Sequence, residues 1–138
     1  MKPPTIISIR PADENHQVVS VEGGGARYMR KPCPECPWRR AAPIGAFPAE
    51  AYRISAKTAY DMSLHKFSCH MAGAEKPATC AGFLLRGADH NLSVRLARCS
   101  GSLKPDDVTT EVDLYDSYRD MAEANGVASD DPALARCR

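Results

Sequence analysis

Lys31-Pro32-Cys33-Pro34-Glu35-Cys36-Pro37-Trp38-Arg39-Arg40 is the stretch on which the reading of this 138-residue chain turns. Two cysteines two residues apart let one tight turn present two thiolates to one ion. Pro32, Pro34 and Pro37 fix φ around them. A knuckle bent in advance loses less entropy when it binds. Cys69 follows 32 residues after Cys36 in the intervening count, and Cys80 ten residues further on. Thiolates from Cys33, Cys36, Cys69 and Cys80 complete a tetrahedral set for zinc. The same four suit a [4Fe–4S] cluster, which is the alternative cofactor. A thiol redox pair, disulfides or inert cysteines are the remaining readings. Cys99 and Cys137 lie outside the cluster.

Histidines crowd the second half of this pattern. His70 follows Cys69 directly, and neighbours on a strand point to opposite faces. The two therefore compete for one ligand place. Cys69 is the expected ligand; His70 is the alternative, or a hydrogen-bonding residue behind the ligands.

Outward from the knuckle, the pattern predicts a small α+β domain. Residues 5–9 and 17–21 read as strands, and Gly23-Gly24-Gly25 as a turn. Residues 26–29 then return as a third strand, so that a hairpin delivers the chain into the knuckle, as in zinc-ribbon-like sites by analogy. Residues 41–47 read as a loop, and 48–63 as a helix opened by Pro48, with Tyr52, Ala56, Ala59, Tyr60 and Leu64 on one stripe. Residues 66–70 read as a short strand carrying Cys69, and 71–79 as a loop. The apolar run 80–85 fits a helix or a buried strand. Residues 89–97 read as a helix. An acidic last helix over about 111–125, capped by Asp107 or Thr110, shows Leu114, Tyr118, Met121 and Ala122 on its stripe and Gly126 as its stop. Asp131-Pro132 opens one short turn. Two to three helices and a small antiparallel sheet, organised around a metal site, are the expectation.

Length fits one domain by the rule of about 150 residues each. Hydrophobic residues make 43%, charged 25% and aromatics 7%, a globular composition rather than a disordered one. No repeat, low-complexity stretch or linker divides residues 1–138, so they read as a single metal-binding domain with its metal core over about 27–97. No apolar run reaches membrane-spanning length. The first residues, MKPPTIISIRPADE, carry two early prolines and an acidic pair, unlike a signal peptide. A cytoplasmic location with no membrane partner is expected, and reduced thiols suit it.

The net charge of +1 hides an asymmetry. Residues 1–100 carry 14 Lys/Arg and 8 Asp/Glu, whereas 101–138 carry 4 and 9. Arg27, Arg30, Lys31, Arg39 and Arg40 crowd the knuckle. One reading is bland: cations offset the negative charge that four thiolates leave on a zinc ion. The sharper one is a nucleic-acid contact through Arg30, Lys31, Trp38, Arg39 and Arg40, with Trp38 stacking on a base. Trp38 equally fits as a cap on the core. The acidic helix is a solvated face or a partner-binding face.

Cys-Pro-Glu-Cys-Pro-Trp-Arg-Arg (33–40), Gly45-Ala46-Phe47-Pro48, Phe67-Ser68-Cys69-His70 and Cys80-Ala81-Gly82-Phe83 occur in that order. Over residues 27–97 the chain resembles a family of small uncharacterised cysteine-containing proteins of phages, prophages and actinobacteria. The resemblance implies the four-cysteine pattern and a phage or mobile-element origin, hence host cytoplasm as the compartment. The chain is also loosely similar to WhiB-type iron–sulfur regulators, in which the CxxC is the middle pair; here it comes first.

Three functions compete. A closed four-thiolate site makes the metal structural, in a binding module that acts on an unidentified host or phage protein or nucleic acid. An iron–sulfur site implies redox or sensing work. A metal-dependent enzyme such as a nuclease needs an open coordination position and a base, for which His65, His70, Glu75 and His90 are the candidates. No HExxH, HxE…PCxxC, nucleophile-elbow, P-loop or dinucleotide motif accompanies them, so the reading leans away from an enzyme.

Overall fold

The computed structural model describes residues 5–11, 17–22, 27–69 and 78–137. Two strands, β1 (Thr5–Pro11) and β2 (Gln17–Glu22), pair antiparallel, from Thr5 opposite Glu22 to Pro11 opposite Gln17. The third strand of this sheet is β3 (His65–Lys66), which pairs with the far end of β2 through Val21 and Glu22. The expected glycine turn and the first residue of the expected strand over 26–29 lie outside the described residues, and residues 27–29 do not join this sheet. Tyr28 instead makes a parallel bridge to Thr79. The expected strand over 66–70 is shorter and starts earlier. His70, and the expected loop up to residue 77, lie outside the described residues.

Four α-helices follow among the described residues, rather than two or three. Helix α1 (Ala49–Ser55) continues only as a 3-10 turn over Ala56–Ala59, then Tyr60 is extended. The predicted 48–63 helix is cut short because Ser55 and Thr58 hydroxyls bond back to the carbonyls of Ala51 and Ser55, a competition that shortens helices. Helix α2 (Ala81–Arg86) resolves the apolar run in favour of a helix. Helix α3 (Leu92–Ser100) is capped by Asn91, whose side chain accepts from the Val94 N–H, and ends at Gly101 with φ +81°. Helix α4 (Tyr118–Ala124) starts seven residues later than predicted, with Ser117 as its cap. Residues 111–117 are held in non-helical form by the knuckle: Arg39 bridges Leu114, and Tyr115 N–H bonds Trp38 carbonyl at 2.9 Å. Gly126, at φ +100°, stands past the helix end as expected. Asp131 caps a 3-10 turn over Pro132–Leu134.

The core sits where these elements meet the knuckle. Trp38, Phe83, Leu114, Tyr118, Met121 and Leu134 are fully buried. Trp38 packs edge-on against Phe67 and Tyr118, with centroids 6.0 and 5.8 Å apart, and Phe67 stacks on Phe83 at 6.1 Å. Offset and edge-on pairs of this kind add to plain area burial. With few aromatics in the chain, almost all of this interaction is concentrated beside the cysteines. No helix among the described residues is long and apolar enough to cross a membrane.

Candidate metal centre

Three extended segments set the frame of the site. Residues 67–69 and 78–80 run antiparallel, bridged at Ser68 and Thr79, with Cys69 N–H bonding Ala78 carbonyl at 2.6 Å and Cys80 N–H bonding Phe67 carbonyl at 2.8 Å. Residues 27–29 lie alongside, with Met29 N–H on Thr79 carbonyl and Thr79 N–H on Arg27 carbonyl. Four residues beyond Met29 the chain enters the knuckle. There Cys36 N–H bonds Cys33 carbonyl and Arg39 N–H bonds Cys36 carbonyl, two successive turns. Cys80 is the residue that opens α2.

This frame brings Cys33, Cys36, Cys69 and Cys80 together, all buried and all as free thiols. The Cys33 thiol contacts those of Cys36 and Cys69; the Cys36 thiol contacts those of Cys33 and Cys80. Cys36 Sγ and Cys80 Sγ are 3.7 Å apart. Among the described residues, no group of three or more His, Cys, Asp or Glu stands ready to hold a metal ion. The Cys36 contact and burial push the Cys33 thiol up, against a downward pull from Cys69. For Cys36 the Cys33 contact pulls down, but Cys80 and burial outweigh it and push the thiol up to about 12. A thiol can donate to one neighbour and accept from another, which suits these contacts.

Helix α2 closes over the knuckle because its glycines let it. A Cβ at Gly82 would sit 2.6 Å from Trp38 Cβ and 3.1 Å from Cys36 Sγ, and one at Gly87 2.5 Å from Trp38 Cη2. The indole is thus clasped between the thiols and the helix, with its Nε1 buried and without a hydrogen-bond partner among the described residues.

The remaining residues singled out by sequence fall into different places. Trp38 is 0% exposed, so it offers no face for a nucleic-acid base. Arg40 is already engaged: its guanidinium reaches Asp116 at 3.1 Å and Asp113 at 3.7 Å, donates to Leu114 carbonyl, and lies 5.3 Å from the Tyr115 ring centroid. Trp38 thus takes the core-capping place, and Arg40 is ion-paired within the chain. Arg39 donates to Pro34 carbonyl at 2.9 Å, whereas Arg30 and Lys31 are exposed. His90 faces Asp61, with Nδ1 and Oδ1 3.7 Å apart, and His65 lies in β3. Glu75, like His70, lies outside the described residues. Cys99 is exposed, and the half-buried Cys137 thiol, pushed up to about 11 by burial, points at Ala56 carbonyl. Neither joins the four.

Sequence reasoning passed over the two glycines of the clasp, although a helix reading Ala-Gly-Phe-Leu-Leu-Arg-Gly already marks two positions where something comes close. It also passed over a cleft of about 400 Å³ on the outer side of the knuckle, between Pro34, Glu35 and Arg39 and the loop through Phe47.

The chain belongs to a family of unknown function (DUF6283), whose model matches residues 28–138. No curated protein and no solved structure matches it.

Proposed function

We propose that the chain is a metal-stabilised binding module in which one zinc ion is held by Cys33, Cys36, Cys69 and Cys80. The observation that carries this reading is the 3.7 Å separation of Cys36 Sγ and Cys80 Sγ among four buried thiols linked by the Cys33–Cys36, Cys33–Cys69 and Cys36–Cys80 contacts. Metal–sulfur bonds of about 2.3 Å in a tetrahedron place neighbouring sulfurs about 3.8 Å apart. An iron–sulfur cube binds each thiolate through a separate iron, which spreads the sulfurs beyond the edge of a single ion. The thiol spacing therefore favours one ion over a [4Fe–4S] cluster. A zinc ion held by these residues would take the place of the thiol protons and supply a closed structural site. His70 remains the alternative fourth ligand.

A closed sphere leaves no position for substrate, so the module acts by binding. The resemblance carried by the blocks at 33–40, 45–48, 67–70 and 80–83 supports a phage-type accessory role in the host cytoplasm. A protein partner is favoured over nucleic acid, because Trp38 is buried and Arg40 is neutralised within the chain. Elemental mass spectrometry with an absorption spectrum, on protein purified without oxygen, tests the metal. One zinc per chain with no visible band is expected, lost in Cys36→Ser and kept in Cys99→Ser. About four irons with a broad visible band would transfer the site to redox or sensing work. Absence of either metal would remove the reading.

A further inference from the structure

Two adjacent arginines leave the knuckle in opposite circumstances. Arg40 is neutralised by Asp113 and Asp116. Arg39 has no carboxylate partner among the described residues. Its backbone is pinned by the bridge to Leu114, its Nη1 donates to Pro34 carbonyl, and its Nε is buried with no hydrogen-bond partner among the described residues. The guanidinium is thus immobilised, charged and unneutralised, and it forms part of the wall of the 400 Å³ cleft. Glu35, on the same wall, already has a partner. The rest of the lining is apolar: Pro34, Pro43, Ala46 and Phe47 with their neighbours. Ile44, 71% exposed, lies in the same loop.

Volumes of roughly 300–1,000 Å³, apolar walls and a few fixed polar groups are the features of small-ligand sites. A fixed guanidinium is the group best matched to a carboxylate. We propose that this cleft binds a carboxylate carried on a small apolar group, with Arg39 holding the charge and Phe47 and Pro43 the apolar part. Such a group comes either from the C-terminus of a protein chain or from a free small acid. The cleft shares Pro34, Glu35 and Arg39 with the knuckle, so the titration is made on protein of measured metal content.

Amide chemical shifts of the full-length protein, followed by NMR during titration, test this. The probes are acetyl-leucine, standing for a chain terminus, and benzoate, standing for a free acid, each against its own amide. Saturable shifts confined to residues 34–47 are expected, with each acid bound at least about tenfold more tightly than its amide, as the loss of a charge-assisted hydrogen bond requires. The tighter of the two acids names the source. Arg39→Gln should weaken acid binding by a similar factor. Because Arg39 also braces Pro34, Ala46→Trp provides a second variant: it fills the cleft from an exposed loop position and should abolish the shifts. Equal binding of acid and amide, or unchanged binding by Ala46→Trp, would overturn the proposal. Metal content, measured on the same samples, reports separately on the thiol site.

Discussion

At position 82 even a methyl group would land 2.6 Å from Trp38 Cβ and 3.1 Å from Cys36 Sγ. Neither neighbour is the far end of a flexible chain, so the helix itself must retreat. Gly82→Ala should cost about 1–3 kcal/mol, the usual range for overpacking, read as a lower urea midpoint. It should also change the fluorescence of Trp38, the single tryptophan. Stability and emission both like wild type would mean that α2 does not press on the indole. Asp131 makes a different kind of contribution. The Ala133 N–H, and then the Arg53 guanidinium at 2.9 Å, hold its carboxyl below the usual aspartate value. A lowered value in the folded chain means that the unfolded chain binds this proton more tightly. The stabilisation is then complete above the unfolded value of about 3.9 and is lost as pH falls through the lower folded value. Wild type should therefore melt above Asp131→Asn at neutral pH, and the gap should close on acidification below about pH 4. A gap that does not change with pH would assign the effect to packing.

Among the elements, α3 depends most visibly on one polar residue. Asn91 is 1% exposed; its Oδ1 accepts from Val94 N–H, and its Nδ2 donates to the carbonyls of Thr58 and His65. One side chain thus caps α3 and fastens it to the 3-10 turn and to β3. Asn91→Ala removes the cap and strands two carbonyls, which should lower stability by about 2–4 kcal/mol, measured by chemical denaturation. A loss under about 1 kcal/mol, no more than a cap alone is worth, would mean that water replaces the two carbonyl contacts. This position also shows what sequence could and could not disclose. A helix near 89–97 was legible from its spacing, but its start at Leu92 depends on carbonyls 26 and 33 residues away, which no local pattern reports. The last helix failed at its start for the same reason. The stripe from Leu114 to Ala122 looks continuous, yet Leu114 and Tyr115 are drawn into extended pairing with the knuckle, and only Tyr118 onward is helical. Gly126 and Asp131-Pro132 were read correctly, because capping chemistry there is settled within a few residues.

Across the described residues, two arginines of the basic first part pair with acids of the last part: Arg40 with Asp113 and Asp116, and Arg53 with Asp131. The charge asymmetry was plain in sequence; these particular pairs were not, because pairing is a property of the folded surface. The four cysteines were legible for the opposite reason, since a CxxC turn and a distant thiol pair need only converge. The clasp of Gly82 and Gly87 on Trp38 was hidden, because it arises from packing between segments more than 40 residues apart. These contacts make the proposed ion a junction. It would join the knuckle, the 67–69 and 78–80 segments and the start of α2, and through Trp38 the fully buried Tyr118 of α4. Removing it leaves thiols that must hold neutral protons in the core. Chelation of the zinc-loaded protein should lower Tm by roughly 10 °C or more, given the large share of folding energy that structural zinc supplies. Amide exchange should accelerate first at 36–39 and 78–84, and later in α3, which is held by its own cap. Cys99→Ser, changed at an exposed position, should respond to chelation as wild type does. If Tm and the exchange pattern survived complete loss of metal, the aromatic cluster would be sufficient to hold the core, and the four thiols would have to be explained by chemistry rather than by stability.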